Sequence, residues 1–151
     1  MMNVWAKPYE DLSIDELYAI IALRSAVFVV EQNCVYQDLD YKDQQAIHIM
    51  GLINNELVAY TRIFAPGNYF DQASIGRVIV AEAHRGQKLG HQIMERSIKT
   101  IIDQYQTTQI DISAQTHLEQ FYNSHGFYSS GTEYLEDGIP HKKMIKRIKT
   151  Q

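Results

Sequence analysis

The sequence predicts a mixed α/β (α+β) fold, a mostly antiparallel sheet with helices on both faces. Three observations lead there. Strand-like and helix-like segments alternate through the middle of the chain, and hairpin signals sit at both ends of that stretch. At 151 residues the chain has the size of one domain, and a domain of this length buries about 68–70% of the surface its unfolded form exposes. A single domain is expected over residues 1–151.

The first clear element is a helix. Ser13 and Glu16 have capping-box spacing, in which two side chains satisfy backbone donors at the helix start. Leu17, Ile20, Ile21, Leu23, Val27 and Phe28 then continue a helical stripe to about residue 30. The polar stretch 31–45 reads as loop with one short helical turn. Residues 46–53 and 56–65 are strand-like runs joined across Asn54-Asn55, a hairpin signal because asparagine tolerates positive φ. Pro66, Gly67 and Asn68 stop the second run. Residues 73–80 form a third strand that ends in Val78, Ile79 and Val80.

A second helix spans about 87–105, with Leu89, Ile93, Met94, Ile98, Ile101, Ile102 and Tyr105 on one stripe. Over 108–114, Ile110, Ile112 and Ala114 alternate with Asp111 and Ser113, as in a half-buried strand. A short helix is expected over 115–124, and a closing hairpin pairs 127–135 with 139–148 around Asp137-Gly138.

Composition narrows the function classes. Hydrophobic residues make up 45% and charged residues 21%, an ordinary globular balance. The net charge of −4 argues against broad binding of a nucleic-acid backbone. No apolar run is long enough to span a bilayer, and residues 1–12 lack a basic-then-apolar signal pattern, so no membrane partner and a cytoplasmic location are expected. Cys34, the single cysteine, reads as an inert thiol. No group of His, Cys and carboxylates has metal-ligand spacing, so no metal is expected.

One local exception to the acidic balance carries the chemistry. The apolar strand end runs into Ala81-Glu82-Ala83-His84-Arg85-Gly86-Gln87-Lys88-Leu89-Gly90-His91, a basic loop opening an amphipathic helix. The first turn of a helix has free N–H groups and a positive dipole end, and glycines allow close backbone approach, which makes an anion site. The dinucleotide G-x-G-x-x-G and P-loop patterns are both absent.

Arg85-Gly86-Gln87-Lys88-Leu89-Gly90 resembles the pyrophosphate loop of the GNAT acetyltransferases, and Phe121-Tyr122 with Gly126-Phe127 resembles their later L-Y-x-x-x-G-F motif. The likeness narrows to the ElaA-like group through Leu23-Arg24, residues 27–34, Tyr36-Gln37-Asp38, Asp40, residues 75–80 and residues 136–141. Lys88 stands where the family loop usually has its middle glycine, and Gln115 takes the place of an asparagine that often opens the later motif. Arg77 lies near the position where many members carry a glutamate base.

The resemblance implies a cosubstrate, acetyl-CoA, and an amine acceptor, small molecule or peptide. Val78, Ile79 and Val80 would pair with the pantetheine arm. Arg85, Gly86, Gln87, Lys88, Leu89 and Gly90 would hold the pyrophosphate, with Gln115 and Phe121 beside it. Tyr122 stands at the family's general-acid position, against the competing reading of a packed tyrosine whose hydroxyl is hydrogen-bonded within the fold. Glu31 and His141 are the expected catalytic groups on the amine side, and Arg77, Asp38, Asp40 and Glu136 the expected acceptor-binding residues. His48 reads as structural, and His117 and His125 as surface or packing residues. A homodimer through sheet edges is expected by analogy. A non-catalytic acyl-CoA sensor and a cofactor-free interaction domain are the competing functions, since one fold hosts many.

Overall fold

The computed structural model describes residues 1–149. An edge strand, β1 (Asn3–Pro8), comes first. The sequence does not announce it, because Asn3, Lys7 and Pro8 dilute a short run with weak strand preference. Helix α1 (Ile14–Arg24) follows with the expected capping box: the Glu16 N–H donates to Ser13 Oγ at 3.0 Å and the Ser13 N–H to a Glu16 carboxylate oxygen at 2.8 Å. It does not run on uniformly to residue 30. From Ser25 to Glu31 the coil widens into π-type turns, which shift the phase of every side chain beyond.

Strands β2 (Ile47–Ile53) and β3 (Glu56–Phe64) form the expected hairpin, with Asn54 at φ 51 and Asn55 at φ 66 in its turn. Next come β4 (Ala73–Val80), α2 (Leu89–Gln104), β5 (Gln109–Gln115) and, after one tight turn, α3 (Glu119–Asn123). The long strand expected over 127–135 is two short ones, β6 (Tyr128–Ser129) and β7 (Tyr134–Glu136), interrupted around Gly131 at φ 99. Strand β8 (Ile139–Arg147) closes the sheet.

The sheet order is β1-β2-β3-β4-β5-β8-β6, with β7 also paired to β8. Every pairing is antiparallel except β4 with β5. Period-2 alternation sorts the two faces from Ala59 onward, and a bulge in the β2–β3 pairing turns Val58 to the same side as Ala59. Val58, Ala59 and Ile63 of β3 join Leu89, Ile93, Met94 and Ile101 of α2 in the larger core; Tyr60 packs with Ile20 of α1, Met50 and Ile79 in the other. The helices therefore cover opposite faces, as expected.

The site follows from one irregularity. Strands β4 and β5 pair only at Ala73 with Ile110 and Ser74 with Asp111. Beyond those pairs β4 carries a bulge against β3, and Arg77 sits there at φ 51. A bulge bends its strand and strengthens the local twist, and the two strands splay apart.

Candidate active site

The splay opens two concavities. A groove of about 590 Å³ runs over the end of β4 and the start of α2. A pocket of about 430 Å³ lies on the other side, between β3, β4 and the β7–β8 hairpin. The two share Phe28, Gln32, Val78, Gln115, Leu118 and Tyr122, so they meet at Tyr122.

All of the residues expected to hold the cosubstrate line the groove, apart from Gln87. Helix α2 begins at Leu89, and the N–H groups of its first turn lack a carbonyl one turn earlier. Two left-handed residues shape the loop before it, Gly86 at φ 84 and Lys88 at φ 63. Lys88 thus adopts the conformation for which a glycine is the easier choice. Gly90 works differently. A Cβ there would lie 3.4 and 3.5 Å from two Phe121 ring carbons and 3.8 Å from Val80 Cγ2, an ordinary contact, so Phe121 rests on α2 with room for a methyl group and no more. The backbone donors and basic loop suit a pyrophosphate, and the apolar β4 edge suits a pantetheine arm.

Arg85 donates from Nε to the Val80 carbonyl at 3.1 Å and gives both terminal nitrogens to Glu31, with Nη2 to Oε1 at 2.7 Å. Hydrogen bonds from Arg85 hold the Glu31 carboxyl below its ordinary range. This corrects the expectation for Glu31. It faces the cosubstrate groove and does not line the pocket that contains His141.

The pocket collects Asp40, Arg77, Glu136 and His141. His141 is buried, and its Nδ1 lies 2.7 Å from the Ile139 carbonyl. That carbonyl can only accept, so Nδ1 carries a proton, and in the neutral ring Nε2 holds the lone pair. Nε2 lies 3.4 Å from Glu136 Oε2. Ser113 bonds to the Tyr134 hydroxyl and donates to Glu136 Oε1 at 3.3 Å.

Asp38 departs from expectation. It does not line the pocket, and both its oxygens are committed: Oδ2 to Arg24 Nε at 2.8 Å, and Oδ1 to Arg77 Nε at 2.7 Å and the Tyr36 hydroxyl at 2.9 Å. Its work is to hold Arg77 at the bulge. Around it lies a buried ion cluster: Arg24 bonds Asp43 at 2.6 Å, and Arg62 bonds Asp43 at 2.9 Å and Asp40 at 2.6 Å. His48 belongs to this structure, with Nδ1 2.6 Å from the Tyr60 hydroxyl and Nε2 2.9 Å from the Asp43 carbonyl; burial lowers its pKa.

Tyr122 is 6% exposed, and burial pushes its phenol pKa up. Among the described residues its hydroxyl has no hydrogen-bond partner, although the ring packs edge-on against Phe121 and Phe127. A proton donor held neutral, at the junction of two cavities, is what the geometry offers here.

Sequence reasoning missed Arg62, Ser74, Tyr69 and Phe70 of the pocket and Phe28 and Gln32 at the junction. Arg62 was legible in part: it alternates with Tyr60 and Phe64 on an inward face. Its partners, far off in the chain, were not.

Comparison with known proteins agrees with this geometry. Residues 9–148 match the family model for the acetyltransferase (GNAT) domain. The chain is 45% identical to protein ElaA of Escherichia coli over 142 residues, 93% of each chain. A crystal structure of Escherichia coli ElaA superposes with a TM-score of 0.91 at 43% identity, covering 97% of this chain and 99% of that one. An acyl-CoA N-acyltransferase from Pseudomonas aeruginosa superposes with a TM-score of 0.92 at 40% identity and the same coverage. With a matching domain model over most of its length and relatives this close, the chain belongs to the GNAT acyltransferase family, in its ElaA-like group.

Proposed function

We propose that this chain transfers an acetyl group from acetyl-CoA to a primary amine by direct attack, with His141 as base and Tyr122 as general acid. The carrying observation is the junction: groove and pocket share the wall that holds Tyr122. A thioester lying along the end of β4 would present its carbonyl there to an amine in the pocket.

The amine enters as an ammonium. Glu136 Oε2 and His141 Nε2, two acceptors 3.4 Å apart, suit a group with several N–H donors. His141 Nε2 takes one ammonium proton, and the freed lone pair attacks the thioester carbonyl carbon. The nitrogen of the tetrahedral intermediate then gives up its second proton to water, the C–S bond breaks, and the leaving sulfur takes the Tyr122 proton; solvent reprotonates Tyr122 and takes the proton from His141. Arg85 and the α2 N-terminus stabilise the phosphates and stay out of the proton transfers.

The test is turnover of acetyl-CoA with a panel of primary amines, read as acetylated product by mass spectrometry. Product with wild type and a large loss in His141→Ala, with CoA affinity kept, is the expected result. CoA binding without product from any amine would favour an acyl-CoA sensor instead.

A further inference from the structure

The pocket wall made by β3 and β4 contains buried hydrogen-bond donors. In their antiparallel pairing Arg62 stands opposite Gly76 and Phe64 opposite Ser74, so these four share a face, and all line the pocket. Arg62 is 1% exposed and gives its terminal nitrogens to Asp40 and Asp43, which leaves its Nε–H without an acceptor among the described residues. The hydroxyl of Ser74, 2% exposed, is unpartnered too. Arg77 gives Nε and Nη2 to Asp38, and its Nη1 makes no hydrogen bond among the described residues. At Gly76 an added Cβ would meet nothing within 4 Å, so the glycine keeps space open beside Arg62.

The carboxylates nearby already face the arginine terminal nitrogens, not Arg62 Nε or Ser74 Oγ. Asp40 takes Arg62 on both oxygens and the Lys42 N–H on Oδ1, while Asp43 Oδ1 takes Arg24 and Arg62. Buried donors left without an acceptor are costly, and native structures rarely keep them without a use.

Resting on the reading that this pocket holds the acceptor amine, we propose that the acceptor carries, away from its nitrogen, an oxygen hydrogen-bond acceptor that docks on Ser74, Arg62 and Arg77. An amide carbonyl or a carboxylate has this chemistry. An aliphatic polyamine does not, since its second ammonium would meet a wall of donors. The arginines Arg24, Arg62 and Arg77 are matched by Asp38, Asp40 and Asp43, so the wall has no net charge and a neutral carbonyl suffices.

The experiment is isothermal titration of protein saturated with CoA, which carries no acyl group and cannot react. Glycinamide, β-alaninamide and γ-aminobutyramide are each compared with the amino acid, the diamine and the plain alkylamine of matched length. At the best length the amide or the amino acid should bind about tenfold tighter than the diamine or alkylamine, the scale of one or two net hydrogen bonds. Ser74→Ala should shrink that advantage severalfold. Equal affinity for diamine and amide, an advantage that survives Ser74→Ala, or no binding of any amine would overturn the proposal. Failure of the transfer reading looks different: amines bind the CoA-loaded protein, and acetyl-CoA still yields no product.

Discussion

Both carboxylate oxygens of Glu31 bond to the guanidinium of Arg85, so the end of the widened first helix holds the basic loop that opens α2. Glu31 thereby places a negative charge beside the anion site and partly neutralises Arg85.

Glu31→Gln is expected to tighten CoA binding severalfold, and more at low salt, because an exposed charge beside a pyrophosphate acts through a screened field. Stability should change by less than about 1 kcal/mol, as usual for an exposed pair. Titration with CoA at two ionic strengths checks this. Unchanged CoA affinity with a raised KM for the amine would return Glu31 to the acceptor side.

Gly90 separates two substitutions. Its Cβ position makes ordinary contact with Phe121 and Val80, so Gly90→Ala should stabilise α2 by up to about 1 kcal/mol through helix propensity. Gly90→Val pushes its γ-carbons into the Phe121 ring and should cost about 1–3 kcal/mol, with weaker CoA binding as the ring is displaced. Thermal melts of both variants decide it; a neutral Gly90→Val would show that Phe121 is free to move.

Lys88 holds a left-handed conformation at φ 63, which costs a residue with a Cβ about 1 kcal/mol. Lys88→Gly should recover part of that and raise the melting temperature, while Lys88→Val should lower it. Equal melting temperatures for the two variants would contradict a left-handed loop.

Acid should unfold the protein partly through Asp40. Burial alone would raise its pKa, but hydrogen bonds and charge from Arg62 outweigh this and hold it at about 2 against an ordinary 3.8. A carboxyl lowered in the folded state contributes stability that is full above its unfolded pKa and is lost as pH falls through its folded pKa. That contribution is on the order of 2 kcal/mol, lost between about pH 4 and pH 2. Asp40→Asn should flatten this part of the stability–pH curve in denaturant titrations. A curve of unchanged slope would mean that Asp40 is not coupled to Arg62.

What was legible in the sequence tracks what is local. The Ser13–Glu16 box and the Asn54-Asn55 turn depend on near neighbours, and they stand where expected; the 85–90 loop, equally local, lines the groove except at Gln87. Glu31 was expected beside the acceptor from the resemblance of its segment alone, and its pairing with Arg85, 54 residues on, was not legible there. Asp38 looked like a free carboxylate because Arg24 and Arg77, which use it up, lie in other elements. The donor wall of Arg62 and Ser74 was invisible for the same reason: strand register brings it together.

The central claim is that Tyr122 protonates the leaving sulfur, and Tyr122→Phe tests it most directly, since it removes only a hydroxyl. The measurement is kcat for wild type and variant with acetyl-CoA and with an acetyl thioester whose thiol is a better leaving group, where chemistry limits the rate. The account predicts a loss on the order of 10²-fold with acetyl-CoA, CoA affinity and melting temperature nearly kept, and a smaller loss with the second donor. Wild-type kcat in Tyr122→Phe, or an equal loss with both donors, would contradict it.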